Sequence, residues 1–480
     1  VTGSLSPEVR RASEMDLLHH YYDRVVALGV KNYSFERCYL DYKRSLLQLC
    51  TAQVITSDLQ GGNERGTILL RLADLIEENV EMLSQIETMD NGSLLRSHRR
   101  GVMPRVAMNI RFFAEYAMNK LSHPVWETRE HENHVSWDPS GVAVIITPWN
   151  APLMLATWRI GPALAAGDTV VLKPPEWAPL TASVFADLAH QAGLPAGVFN
   201  VVQGFGAEAG APLTENPDVA RICFTGSVPT AKVIARAAAE NLIPCSFELG
   251  GKSPTVILDD ADLDLAVDLA IEQYDNAGQV CLAGTRLLVQ RGIADEFIAR
   301  FRERAGQIRQ GDPRDEETQI GPNIHLNHVE RVQGFVDRAA SDGATIAYGG
   351  SVNEALGTHY YLPTLVVDAQ VGSEILTQEV FGPVLTMQTF ESDEEGLEIA
   401  NGTEFGLAAC VVSGDRARAE AFCKHLVAGT IWVNCFFVRD LGAPFGGSKK
   451  SGIGREGGVW SFDFYADVKN TVYAPNGWKG

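Results

Sequence analysis

Apolar residues along the chain change their spacing from segment to segment. Residues 142–146, 169–173, 198–202 and 220–224 are short runs rich in Val, Ile and Phe. Between and after them, 153–166, 180–192 and 230–241 carry helical spacing, and Gly167 and Gly193 stop the first two helices. Strands that are apolar on both faces and alternate with helices predict a buried parallel sheet with right-handed crossovers. This is a dinucleotide-binding layout. A second strand-and-helix series begins near residue 252. It has helices over 263–274, 294–310, 329–340 and 415–426, and strands over 286–290, 407–412 and 430–434.

The remaining segments read differently. In residues 1–60, Leu17, Leu18, Tyr21, Tyr22, Val25, Val26 and Leu28 recur at helical spacing, Gly29 can end that helix, and Ser34 can cap a second. Residues 60–63 read as a turn. One long helix is expected over 66–86 and another over 106–121. Residues 123–137 alternate apolar and charged positions, as a solvent-facing hairpin would, and 462–473 alternate like an edge strand.

Composition narrows the class. The 480 residues suffice for two or three domains, and 45% hydrophobic with 21% charged residues fits an ordinary soluble chain. A net charge of −20 argues against nucleic acid and anionic membranes as partners. No run approaches the roughly 20 apolar residues of a membrane span, and the charged N-terminal pattern predicts no signal peptide. None of the eight cysteines forms a C-x-x-C pair, so neither a metal site nor a disulfide framework is expected. The expected compartment is reducing, and the expected location cytoplasmic.

Three short stretches carry chemistry. Cys281 sits among small residues in Asn276-Ala277-Gly278-Gln279-Val280-Cys281-Leu282-Ala283-Gly284, where the backbone can turn tightly. A thiolate adds readily to a carbonyl; the bland alternative is an inert buried cysteine. Glu248 lies between Phe247 and Leu249, where desolvation raises a carboxylate pKa and suits a general base. A structural ion pair is its alternative. Asn150 ends Thr147-Pro148-Trp149-Asn150 after an apolar strand. It offers an amide for an oxyanion, worth roughly 3–4 kcal/mol in such sites, or else a helix cap.

Thiol, carboxylate and amide in this order, with the motifs below, resemble the NAD(P)-dependent aldehyde dehydrogenase family from about Arg65 to the C-terminus. The motif set is closest to hydroxymuconic semialdehyde dehydrogenases. The resemblance implies an α/β fold with a Rossmann-type cofactor domain, an α/β catalytic domain and a small oligomerisation hairpin. The expected division is an atypical helical extension over 1–60, a cofactor domain over 61–251 interrupted by the hairpin 122–139, a catalytic domain over 252–445, and a C-terminal segment over 446–480 with an oligomerisation strand. The resemblance also implies that Cys281 is the nucleophile, Glu248 the base and Asn150 the oxyanion donor. Thr147, Pro148, Trp149 and Leu249 would line the cofactor. Lys173 and Glu176 would hold the adenosine ribose, and a carboxylate there repels a 2′-phosphate, favouring NAD. Gly226 and Ser227 open a helix whose N-terminus suits a pyrophosphate, although Ala231 stands where the family usually has glycine. Gly206 resembles a segment near the adenine. Glu379 and Phe381 resemble those that order the nicotinamide ribose.

The implied reaction oxidises an aldehyde to a carboxylic acid through a thiohemiacetal and a thioester, in a homodimer or homotetramer. Val438-Arg439-Asp440 and the 455–458 run point to a semialdehyde from aromatic catabolism, with Arg439 facing a carboxylate or making a structural ion pair. Transfer of the acyl group to coenzyme A is the alternative chemistry, and Glu248 argues against it. An inactive family member is the alternative class, because residues 1–60 do not match the family and, at 21–42, faintly resemble the tail of kinase-like phosphotransferases.

Overall fold

A computed structural model describes residues 62–475, so the helices expected over 1–60 lie outside the described residues. The described part opens with helices α1 (Gly62–Glu78), α2 (Val80–Asn91) and α3 (Met103–Asn119). The turn expected at 60–63 gives way to helix from Gly62, and the helix expected over 66–86 is broken at Asn79. There the Asn79 side chain bonds back to the Leu75 carbonyl at 2.7 Å. Such local side-chain bonding competes with a helical backbone.

Next come the hairpin β1 (Val125–Thr128) and β2 (His131–Pro139), then β3 (Val142–Ile146), α4 (Pro152–Ala166), β4 (Thr169–Lys173), α5 (Leu180–Gln191), β5 (Phe199–Val201), β6 (Val219–Gly226), α6 (Val228–Glu240) and β7 (Cys245–Leu249). Gly167 ends α4 with φ of 104°, the left-handed closure its sequence suggests. The second series holds β8 (Pro254–Ile257), α7 (Leu263–Glu272), β9 (Arg286–Gln290), α8 (Ala294–Ala305), α9 (Leu326–Ser341), β10 (Thr345–Tyr348), β11 (Thr364–Val367), β12 (Val384–Phe390), β13 (Phe405–Gly406), β14 (Ala408–Val412) and β15 (Thr430–Val433). The chain closes with β16 (Ser448–Lys449), β17 (Gly452–Ile453), α10 (Gly458–Tyr465) and β18 (Ala466–Tyr473). The alternation over 462–473 therefore spans the end of a helix and a strand. Phe462 and Tyr465, three apart, are buried on one helical face against α3 and α4, and Phe462 stacks on Tyr116 at 5.6 Å.

Three main sheets result. The six-stranded sheet runs β17-β7-β6-β3-β4-β5, the seven-stranded sheet β10-β11-β12-β9-β8-β14-β15, and the three-stranded sheet β1-β2-β18. In the first, β3 pairs in parallel with β4 on one side and β6 on the other. The chain thus winds outward in both directions from β3, and the crevice at such a reversal is where open α/β sheets bind ligands. The fully buried strands β3 and β4 explain the unbroken apolar runs. The last segment returns to this sheet, with Gly452 opposite Glu248. Among the described residues no helix is long and apolar enough to cross a membrane.

Candidate active site

Cys281 follows a tight turn over Asp275–Gly278, in which Asn276, Ala277 and Gly278 have φ of 49°, 56° and 69°. Left-handed backbone at two non-glycine residues is strained and needs support. Side chains supply it. Asn276 Nδ2 donates to the Asn150 carbonyl at 3.2 Å, Gln279 Nε2 donates to the Asn276 carbonyl at 2.9 Å, and Gln279 Oε1 accepts from Ile324 N at 3.0 Å. Gly278 must lack a side chain, because a Cβ there would strike the Gly382 carbonyl. Cys281 as a residue is half-buried. Burial pushes its thiol up to about 12, the Glu379 and Glu248 carboxylates add to the rise, and Arg439 opposes it.

Asn150 follows β3 and does not cap α4, whose cap position is Ala151. Instead its Nδ2 donates to the Gln279 carbonyl at 2.9 Å, on the nucleophile's own loop. An amide nitrogen carries two hydrogens, so this bond uses one of them and leaves the second.

Glu248 lies in β7, with both carboxylate oxygens buried and without a hydrogen-bond partner. Burial and the nearby Glu456 carboxylate push its pKa up to about 8, against the pull of Arg159, Arg439 and Arg455. The ion pair weighed for it belongs to Glu456. Glu456 Oε1 lies 3.1 Å from Arg159 Nη2, and Oε2 accepts from Trp158 Nε1 at 2.5 Å. Arg159 is the one charged residue of the apolar helix α4, and that isolation was the signal the sequence offered for it. Arg439 has no ion-pair partner among the described residues. Its guanidinium lies 3.6 Å over the Phe445 ring and 5.1 Å from the Trp158 ring, and Nη2 is buried and unpartnered. Arg105, which sequence reasoning missed, approaches the same Trp158 at 5.9 Å.

The residues expected to bind cofactor cluster at the C-terminal ends of the six-stranded sheet. Thr147 N donates to the Lys173 carbonyl at 3.3 Å, joining the ends of β3 and β4, and Pro148 and Trp149 follow, half-buried. Lys173 Nζ lies 3.0 Å from Glu176 Oε2, the lysine buried and the carboxylate exposed. Gly226 ends β6, and Ser227 caps α6 by accepting from Thr230 N at 3.4 Å. Ala231 is buried in the second turn of α6. Leu249 ends β7, and Gly206 begins an exposed turn beyond the outermost strand β5. From the other sheet's side, Glu379 Oε1 accepts from Gly251 N at 3.0 Å, and burial pushes this carboxyl up to about 7. Phe381 has φ of 59°, and His328 Nε2 donates to its carbonyl at 2.7 Å.

The arrangement can perform acyl chemistry at sulfur beside a strand-end crevice. The aldehyde dehydrogenase family model matches residues 57–471. The chain is 42% identical over 421 residues to a 2-hydroxymuconic semialdehyde dehydrogenase of Pseudomonas sp. (strain CF600), which covers 85% of this chain and 86% of that one. It is 40% identical over 414 residues to a 2-aminomuconic semialdehyde dehydrogenase of Mus musculus, covering 85% of each. Among solved structures, betaine aldehyde dehydrogenase from Staphylococcus aureus in complex with NAD+ superposes with a TM-score of 0.88 at 35% identity, over 91% of this chain and 88% of that one. With nearly the whole described chain matched in sequence and in fold, the protein belongs to the aldehyde dehydrogenase family, oxidoreductases that act on aldehydes.

Proposed function

We propose that this protein oxidises a carboxylate-bearing semialdehyde to the dicarboxylic acid with NAD as hydride acceptor. The observation that carries the chemistry is Glu248, a buried carboxylate with two unpartnered oxygens whose charge acts on the Cys281 thiol.

The crevice fits a dinucleotide on features of its own. The Thr147 and Thr225 hydroxyls are buried and unpartnered at the ends of β3 and β6. The N-terminus of the 13-residue helix α6 opens beside them. The Glu379 carboxylate presses against Gly250, where a side chain would displace it. Lys173 and Glu176 would hold the adenosine ribose, Gly226 and Ser227 the pyrophosphate, and Glu379 and Phe381 the nicotinamide ribose. NAD, when bound, supplies the hydride acceptor.

This chain's residues do the rest. The resting thiol is protonated, so ionised Glu248 takes its proton as sulfur adds to the aldehyde carbon. The second N–H of Asn150 and the Cys281 backbone N–H receive the charge that develops on oxygen. Once the hydride has left that carbon, an acyl group remains on sulfur. Glu248 then removes a proton from water, the water oxygen adds to the acyl carbon, and the carbon–sulfur bond breaks to release the acid. The buried base supports hydrolysis over transfer to coenzyme A.

Arg439 and Arg105 support the substrate reading. Two guanidinium groups approach Trp158, and Arg439, whose charge acts on Cys281 and Glu248, keeps a buried donor free for a carboxylate. The test is a panel of aliphatic, aromatic and carboxylated aldehydes followed by NADH absorbance. Carboxylated semialdehydes should give the highest kcat/KM, and Arg439→Met should raise KM for them while leaving uncharged aldehydes nearly unchanged. An equal loss for both classes would remove the carboxylate assignment.

A further inference from the structure

A chain of aromatic rings spans the crevice between the two large sheets. Trp177 stands in the loop after β4, one residue beyond Glu176, and 37% of it is exposed. Its ring stacks on that of His325 with centroids 5.0 Å apart and planes 5° from parallel. His325 belongs to the opposite wall, as the N-cap residue of α9. Its Nδ1 accepts from Asn327 N at 3.1 Å. That bond leaves the proton of the neutral ring on Nε2 and fixes the ring plane that meets Trp177.

Inward from this stack the rings continue. Trp149 lies 5.9 Å from Trp177, 5.2 Å from His328 and 5.3 Å from Phe381. His328, three residues along α9 from His325, holds the carbonyl of Phe381 in its left-handed backbone. Phe381 occupies a conformation that a bulky residue keeps only when its surroundings impose it. The first turn of α9 therefore grips one wall through the His328 bond and the other through the His325 stack. The two grips differ in strength. His328 is buried and hydrogen-bonded, whereas the Trp177–His325 stack is partly open to solvent and can part without exposing a core.

We propose that Trp177 and His325 form a clasp that closes the crevice over a bound dinucleotide and slows its release. The clasp joins the loop carrying Glu176 to α9, whose His328 holds the Phe381 carbonyl, so it links the residues for the two ends of the cofactor through one helix turn. The proposal rests on the cofactor reading above.

His325 has two separable jobs, capping and stacking, and variants divide them. Asparagine caps helices well but offers no ring to stack, so His325→Asn removes the stack alone. His325→Phe keeps a ring and loses the cap. NADH dissociation is measured by stopped-flow displacement using cofactor fluorescence, and the melting temperature by calorimetry without ligand. Trp177→Ala and His325→Asn should each speed NADH release by roughly two- to tenfold, the range set by one aromatic pair. The double variant should release no faster than the faster single one, because both remove the same contact. His325→Asn should melt near wild type; His325→Phe should melt lower yet release NADH slowly. Unchanged release in Trp177→Ala, or effects of the two substitutions that multiply, would overturn the clasp. Failure of the wild-type protein to bind NADH would overturn the cofactor reading and the clasp with it.

Discussion

At Cys281 the sulfur rests as a thiol in a setting that resists its ionisation, so the reaction depends on where the proton can go. In the mechanism proposed above Glu248 is the acceptor, and burial and the Glu456 carboxylate push its pKa up to about 8. A base must be ionised to act, so the rate should climb with pH through 7 to 9 and level off above it. A profile flat over that range would remove Glu248 from the role. Cys281→Ala should abolish oxidation and leave NAD affinity nearly intact, since the thiol contributes chemistry rather than binding; activity within tenfold of wild type would reassign the nucleophile. Glu248→Gln keeps the shape and loses the basicity, so mixing it with aldehyde and NAD should leave an acyl group on the protein, visible by intact mass spectrometry. Cys281, Glu248 and Asn150 were legible as candidates because each sits in a local setting that suggests its chemistry: small residues around the thiol, apolar neighbours around the carboxylate, a strand end before the amide. Their supports were less legible. Gln279 and Asn276 stitch Asn150 to the nucleophile loop through bonds spanning more than a hundred residues, and no local pattern announces them.

Elements, rather than single residues, set the field around Glu248. Strand β17 brings the C-terminal segment beside β7, and Glu456 follows it into the interior to meet Arg159 of α4. Trp158 and Glu456 bond across 298 residues of sequence. The motif around Glu456 and the lone arginine of α4 each left a mark in the sequence, but their pairing did not, since pairing at that separation depends on a sheet edge built by the last strands of the chain. Arg159→Met should leave the Glu456 carboxylate buried without its cation and lower stability by about 3–5 kcal/mol, read as a fall in melting temperature. Glu456→Gln acts in the other direction on the base. It removes the like charge that raises Glu248, so the Glu248 pKa should fall and the pH profile for activity should move to the acidic side. A profile that stays in place would show that burial alone sets the base.

The whole molecule leaves one sheet standing apart from its two large α/β halves. Strands β1, β2 and β18 form it, and β18 contributes Val468, Val472 and Tyr473 while β1 contributes Val125 and Trp126, all exposed. The alternation that marked this hairpin in the sequence was legible because a strand with two solvated faces still repeats every two residues. What the pattern could not state is why so many of its outward positions are apolar. Cross-strand register puts Trp126, Val468 and Val472 on one face of the sheet and Val125 and Tyr473 on the other, and exposed apolar residues gathered on one face mark association sites. The homodimer or homotetramer expected from the family resemblance leads to the prediction that a second copy of the chain covers the face carrying Trp126, Val468 and Val472. Val468→Asp together with Trp126→Glu places two charges on that surface and leaves the crevice and Cys281 untouched. Sedimentation velocity should show the wild-type protein as a dimer or larger, and the double variant as a lighter species, because a buried unpaired carboxylate in a subunit contact costs several kcal/mol. Identical sedimentation of the two proteins would place the contact between subunits on another face.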